Sequence, residues 1–224
     1  MLLAIPFDQP TGLSACWHLP DITPPDGLTA LILAHGAGGD MNSEFVVTTA
    51  NGLSAAGIAV LRFNFPYRET GRKAPDTPKK LEAAWQAAVQ HGLQALPTVP
   101  KRVILAGKSM GGRLAAHLLA QGQLQADGLI LYGYPLHAPG KTDKLRTAPL
   151  LGLQLPTLLI SGSRDRLCDL DLLRNTLANA QCSWQLDVIE GGDHSFKVPK
   201  AMHRSPEDIH AWIIQRSLDW LGTL

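Results

Sequence analysis

Several absences narrow what this 224-residue chain can be before any motif is read. Cysteine is scarce: Cys16, Cys168 and Cys182 are an odd number without metal-ligand spacing. They read as reduced, partly buried thiols of a cytosolic protein, with a single Cys168–Cys182 disulfide as the open alternative. Excess charge of either sign is missing. The formal net charge is +1, which gives the molecule no electrostatic case for binding nucleic acid. No hydrophobic run approaches the roughly 18 residues of a membrane span. The opening stretch, residues 1–10, is apolar for five residues before its first proline, without a basic start or a small-residue cleavage site. It therefore does not read as a signal peptide. Internal repeats and low-complexity tracts are absent too.

What is present is an apolar fraction of 45%, enough for a large core, and no break in composition. One domain over residues 1–224 is expected. β-type and helix-type runs alternate, the pattern of a mostly parallel sheet with helices on both faces. Leu2–Phe7 and Leu13–His18 suggest two short opening strands, with an antiparallel hairpin as one way to pair them. Further strands are expected at Leu28–Ala34, Ala59–Phe65, Arg102–Ala106, Gly128–Tyr132, Thr157–Ser161 and Trp184–Ile189. Helices are expected at Glu44–Ala56, Pro78–His91, from Ser109 to Gln121 and at Asp169–Asn179. Leu81, Ala84, Trp85, Ala88 and Val89 give the second of these a buried face, and Gly92 reads as its stop. A last helix has Ser205 as N-cap, Pro206 at its first position and Glu207 and Asp208 in its first turn. Its expected buried stripe is Ile209, Trp212, Ile213, Trp220 and Leu221.

Gly107-Lys108-Ser109-Met110-Gly111 lies between a buried strand and an amphipathic helix. This is the context in which G-x-S-x-G makes a nucleophile elbow. Small neighbours are needed where the strand and helix backbones approach, and the helix N-terminus aims free N–H groups at a developing oxyanion. A serine hydroxyl also needs a base. Asp165 follows the strand ending at Ser161, and His194 follows the strand ending at Ile189. With Ser109 they should meet at the C-terminal edge of the sheet. Asp169 and Asp171 fall at a helix start, where acidic residues stabilise the N-terminus, and Asp193 reads as a loop hydrogen-bonder. His35-Gly36-Ala37-Gly38-Gly39 follows the first strongly buried strand. It is the expected source of a second oxyanion donor, Ala37 or Gly36, beside the N–H of Met110. His91, His117, His203 and His210 carry no such context, and no metal site or cofactor is expected.

The segments just quoted, with Arg62-Phe63-Asn64-Phe65-Pro66-Tyr67, Gly111-Gly112-Arg113, Gly162-Ser163-Arg164-Asp165 and Gly191-Gly192-Asp193-His194-Ser195-Phe196, resemble the α/β-hydrolase superfamily. Within it they look like small predicted hydrolases related to dienelactone hydrolase and to the hydrolase-like subunit 3 of the nonspecific lethal chromatin complex. The resemblance runs from about Leu28 to the C-terminus. It implies an α/β-hydrolase fold with an eight-strand-type sheet and a Ser109, Asp165, His194 triad. Dienelactone hydrolase has a cysteine nucleophile where this chain has Ser109.

The expected activity is hydrolysis of a carboxylic ester, thioester or related acyl bond of a small molecule. A serine peptidase and a non-catalytic interaction protein of the same fold are the alternatives. No room remains for a large cap, because only the 66–78 and 136–155 loops are free, so the site should be open. Arg68, Arg72 and Lys108, in or near the basic stretch Arg62–Lys80, are the expected contacts for an anionic substrate group; a solvated surface face is the competing reading.

Overall fold

The fold is described from a computed structural model, in which residues 1–7, 12–22 and 24–224 are described. Residues 8–10 of the opening stretch lie outside them. Eight strands form one sheet: β1 (Leu2–Ile5), β2 (Leu13–His18), β3 (Thr29–Ala34), β4 (Ile58–Phe63), β5 (Arg102–Lys108), β6 (Gly128–Tyr132), β7 (Thr157–Gly162) and β8 (Trp184–Ile189). Their order across the sheet is β1-β2-β4-β3-β5-β6-β7-β8. The β1–β2 and β2–β4 pairs are antiparallel, and all the others are parallel.

Helices cover both faces, so the central strands are apolar on both sides. All but the first residue of β3 and every residue of β6 are buried. Helices α1 (Glu44–Ala55) and α7 (Pro206–Leu221) lie on one face. There Val46, Leu53, Ile209 and Ile213 pack on Leu31, Leu33, Ile130 and Ile160. Helices α3 (Pro78–Gln94), α4 (Met110–Ala120), α5 (Ala148–Leu151) and α6 (Leu170–Leu177) lie on the other, over Ile32, Leu61, Leu105 and Leu131. A short helix, α2 (Pro66–Glu69), follows β4. Among the described residues, no large cap covers the C-terminal edge of the parallel strands.

Most boundaries differ from the sequence expectation by a residue or two, and a few differences have a physical cause. β4 ends at Phe63 rather than Phe65, because Pro66 opens α2 with Phe65 as its N-cap. Gly92 does not end α3. The helix runs on to Gln94, Leu61 occupies the space a Cβ at Gly92 would need, and the Gly92 carbonyl accepts the Trp17 indole N–H at 3.2 Å. Close packing, not a left-handed stop, is the reason for that glycine. β5 extends through Lys108 because its ladder to β6 continues to Lys108↔Tyr132. In α7 the Ser205–Asp208 capping box forms, but Trp212 is only half-buried. Ser217 is buried in the stripe instead, 2.9 Å from the Tyr132 hydroxyl. The three cysteines are free thiols. Among the described residues, no helix is long and apolar enough to cross a membrane.

Candidate active site

Ser109 sits between β5 and α4 with φ 51° and ψ −110°, a backbone conformation that costs a non-glycine residue about 1–3 kcal/mol. Three contacts over-determine the turn. The Ser109 N–H donates to the Tyr132 carbonyl at 2.9 Å, the Arg113 N–H donates back to the Ser109 carbonyl at 3.0 Å, and the Trp85 indole donates to the Gly111 carbonyl at 3.1 Å. A Cβ on Gly107 would collide with Gly112, so strand and helix can approach this closely only with glycine there.

The structure brings Ser109, Asp165 and His194 together. His194 Nε2 lies 2.8 Å from Ser109 Oγ, and His194 Nδ1 lies 2.7 Å from Asp165 Oδ2. A carboxylate only accepts, so Nδ1 carries the proton and Nε2 is left to accept from the hydroxyl. The Asp165 side chain is fully buried, and its other oxygen accepts the Leu167 N–H at 2.8 Å. The loops carrying Asp165 and His194 touch at Gly162 and Gly192, where a Cβ on Gly162 would strike the Gly192 carbonyl. Asp193 Oδ1 accepts the N–H groups of Ser195 and Lys197 at 2.8 and 2.9 Å, which folds the His194 loop. Asp169 caps α6, accepting from Asp171 and Leu172 at 3.0 Å each.

The His35–Gly39 loop comes against this turn. Gly36 abuts the Lys108 carbonyl and the Ser109 Cβ, and Ala37 borders the space in front of Ser109. The N–H groups of Met110 and Ala37 make no hydrogen bond to another described residue.

Two buried histidines, unweighed in the sequence reading, hold the surrounding loops. His35 Nδ1 donates to the Gly36 carbonyl at 2.8 Å, and its Nε2 accepts the Phe65 N–H at 3.2 Å. Burial pushes its pKa down to about 4, so the ring is neutral and serves as a strut. His137 Nδ1 donates to the Ala138 carbonyl and its Nε2 accepts the Asp169 N–H, both at 3.0 Å. The signal available for His35 was its position directly after a buried strand and before a glycine cluster. Of the other histidines, His117 lies 3.6 Å from Glu82 and His210 stacks near Phe45. Among the described residues no group of three or more His, Cys, Asp or Glu side chains could hold a metal ion.

Two cavities meet at Ser109. One, of about 360 Å³, is lined by Phe45, Val46, His194 and Ser195. The other, of about 510 Å³, is lined by Leu81, Met110, Arg113, Pro135 and Arg146. Ala37, Ser109 and Leu167 line both.

The expected anion contacts need correction. Lys108 lines the smaller cavity, but its ammonium is engaged within the fold: Nζ donates to the His194 carbonyl at 2.5 Å and lies 4.4 Å from the centre of the Phe196 ring. Burial pushes its pKa down to about 8, against the pull of Asp165 and Asp193. It fastens the His194 loop. Arg68 is paired with Asp40 at 3.0 Å and also donates to the Arg72 carbonyl. Burial opposes ionisation of Asp40, yet the Arg68 guanidinium and the Asn42 N–H outweigh it and hold the carboxyl below the usual carboxylate range. Arg72 is paired with Asp76 at 2.6 Å. Neither arginine lines a cavity at Ser109.

A strained serine at a strand-to-helix turn, on the carboxyl edge of a mostly parallel sheet and in line with an imidazole and a buried carboxylate, defines the hydrolase class of α/β proteins. Residues 28–222 match the alpha/beta hydrolase domain family, and the chain belongs to it. Among solved structures it is similar to dienelactone hydrolase from Anabaena variabilis, at 20% identity and a TM-score of 0.74, covering 100% of this chain and 96% of that one. A serine hydrolase without a lid from Xanthomonas campestris is 25% identical with a TM-score of 0.68, covering 98% and 93%. Alpha/beta hydrolase domain-containing protein 10 from mouse is 15% identical with a TM-score of 0.67, covering 100% and 99%.

Proposed function

We propose that this protein is a serine hydrolase that cleaves a carboxylic ester, thioester or related acyl bond of a small molecule through an acyl-enzyme. The observation that carries the reading is the pair of hydrogen bonds in series, Ser109 to His194 at 2.8 Å and His194 to Asp165 at 2.7 Å. Ser109 Oγ adds to the substrate carbonyl carbon while its proton passes to His194 Nε2. The carbonyl becomes an oxyanion, held by the N–H groups of Met110 and Ala37. A donor of this kind contributes about 3–4 kcal/mol to the transition state. The oxyanion re-forms its double bond, the bond to the leaving group breaks, and His194 gives its proton to the departing alcohol or thiol. Water then attacks the acyl-serine, His194 takes its proton, and collapse returns Ser109 its hydrogen and releases the acid. Asp165 fixes the imidazole tautomer and stabilises its charged form without itself taking the proton. The scheme uses no cofactor.

The test is labelling by a fluorophosphonate together with turnover of a panel of neutral acyl esters and thioesters. The expected result is labelling and turnover by the wild type and neither by Ser109→Ala. A wild type that is neither labelled nor active on any member of the panel would count against hydrolysis and for a binding role of the fold.

A further inference from the structure

Among the described residues, some arginines are neutralised within the fold and others are not, the latter including Arg164 and Arg166 beside His194. Arg68, Arg72, Arg174 and Arg216 all have a carboxylate at 3.2 Å or less. Arg113 and Arg146 make no ion pair among the described residues, although they line the same 510 Å³ cavity as Ser109. Arg113 is one turn along α4 from the nucleophile, a rise of about 6 Å. Burial, and then the neighbouring charge of Arg146, hold its pKa below the ordinary arginine value. Two guanidiniums thus stand on one wall of the cavity, Arg113 partly buried and Arg146 exposed, with Glu82 within electrostatic reach of Arg113 but no carboxylate in a salt bridge with either, so a ligand anion there would gain two charge-assisted donors.

Arg146 is also held in place by an arrangement that does not use its charge. Its N–H donates to the Leu136 carbonyl at 2.7 Å, its carbonyl accepts the buried Tyr134 hydroxyl at 2.7 Å, and one guanidinium N–H donates to the Pro135 carbonyl at 3.0 Å. The remaining donors of the fork are left over. Of the carboxylates nearby, Asp76, in the same lining, pairs with Arg72 through Oδ1 while its Oδ2 is buried without a partner among the described residues, and Glu82 lies 3.6 Å from His117.

Given the proposed hydrolase reading, on which this inference rests, the two cavities take different parts of the substrate. The leaving group must lie within reach of His194, which lines only the smaller of the two cavities. The acyl part then occupies the other. We infer that Arg113 and Arg146 bind a free carboxylate at the far end of the acyl group, so that the preferred substrates are monoesters or monothioesters of short dicarboxylic acids.

The test compares a glutaryl thioester with the thioester of its monoamide, matched in length and leaving thiol but neutral. Wild type should prefer the acid by at least tenfold in kcat/KM. Arg113→Gln and Arg146→Gln should each lower that preference by about tenfold, mainly through KM, and Arg113→Lys should recover part of it. Arg174→Gln, a paired arginine elsewhere, should leave the preference where it was. Circular dichroism of each variant guards against misfolding. Turnover of both thioesters without preference, or a preference unmoved by the Arg113 and Arg146 changes, overturns the inference while leaving the hydrolase reading standing. Should neither thioester be cleaved and Ser109 stay unlabelled, it is the hydrolase reading that fails. Calorimetry of free glutarate with Ser109→Ala then decides the anion site. Binding that disappears with Arg113→Gln sustains it, and no binding overturns it.

Discussion

The two cavities that meet at Ser109 are built on opposite principles. On the His194 side the charges that touch the reacting groups are engaged: Asp165 is buried under His194, and Lys108 is spent on a backbone carbonyl. On the Arg113 side two like charges stand together, and one of them is held by hydrogen bonds that leave its charge free. The first arrangement suits a reaction common to any acyl substrate. The second suits a choice among substrates. Changes on the His194 side should therefore lower turnover for every ester, and changes on the arginine side should alter only which ester is preferred.

The sharpest blow to that contrast is Ser109→Ala, expected to lower kcat by about 10⁴-fold or more for acidic and neutral esters alike. A variant that kept turnover on one class alone would break the comparison. Asp165→Asn leaves the geometry nearly intact but favours the wrong imidazole tautomer. A loss of about 10³- to 10⁴-fold in kcat, again for both classes, is expected from steady-state rates. The His35 strut gives a prediction in stability. Its unfolded imidazole takes a proton near pH 6.5 and the folded one only near 4, because burial disfavours the charged ring. Between those values the unfolded state binds the extra proton, so stability falls as the pH falls, by about 3 kcal/mol in total, or roughly 10²-fold in the folding constant. Urea titrations at pH 7 and pH 4 should reveal that slope in the wild type and a shallower one in His35→Gln. Lys108→Met removes the donor to the His194 carbonyl and should lower kcat about tenfold for both ester classes. An effect on acidic esters alone would return Lys108 to substrate binding. Smallest of all, Arg174→Gln should change the acid-to-neutral preference by less than about twofold, since it breaks an exposed pair with Asp171.

What could be read from the sequence was whatever depends on neighbours along the chain. Alternating strand and helix runs defined the α/β class, and Ser109, Asp165 and His194 each follow a strand directly, which brings them to one edge once the strands run parallel. Arg68 and Arg72 misled for the converse reason. Their local stretch is basic, but Arg68 finds its acid at Asp40, 28 residues earlier, and no composition window joins the two. Lys108, beside the nucleophile in sequence, points toward a carbonyl 86 residues away. Arg113 was visible as the end of the Gly111-Gly112-Arg113 segment, yet its company with Arg146 depends on how the β6–β7 crossover is pinned. Gly92 is the same lesson in the core, since only Leu61 and Trp17 reveal why it is a glycine.

His194 follows β8, which has a neighbour on one side only, and β8 itself is mostly half-exposed. Ser109 follows β5, in the sheet interior between β3 and β6. Border strands fray at lower free energy than interior ones. On warming, the imidazole should therefore come loose while the nucleophile's turn is still intact, and inactivation should set in at a lower temperature than cooperative melting of the whole sheet.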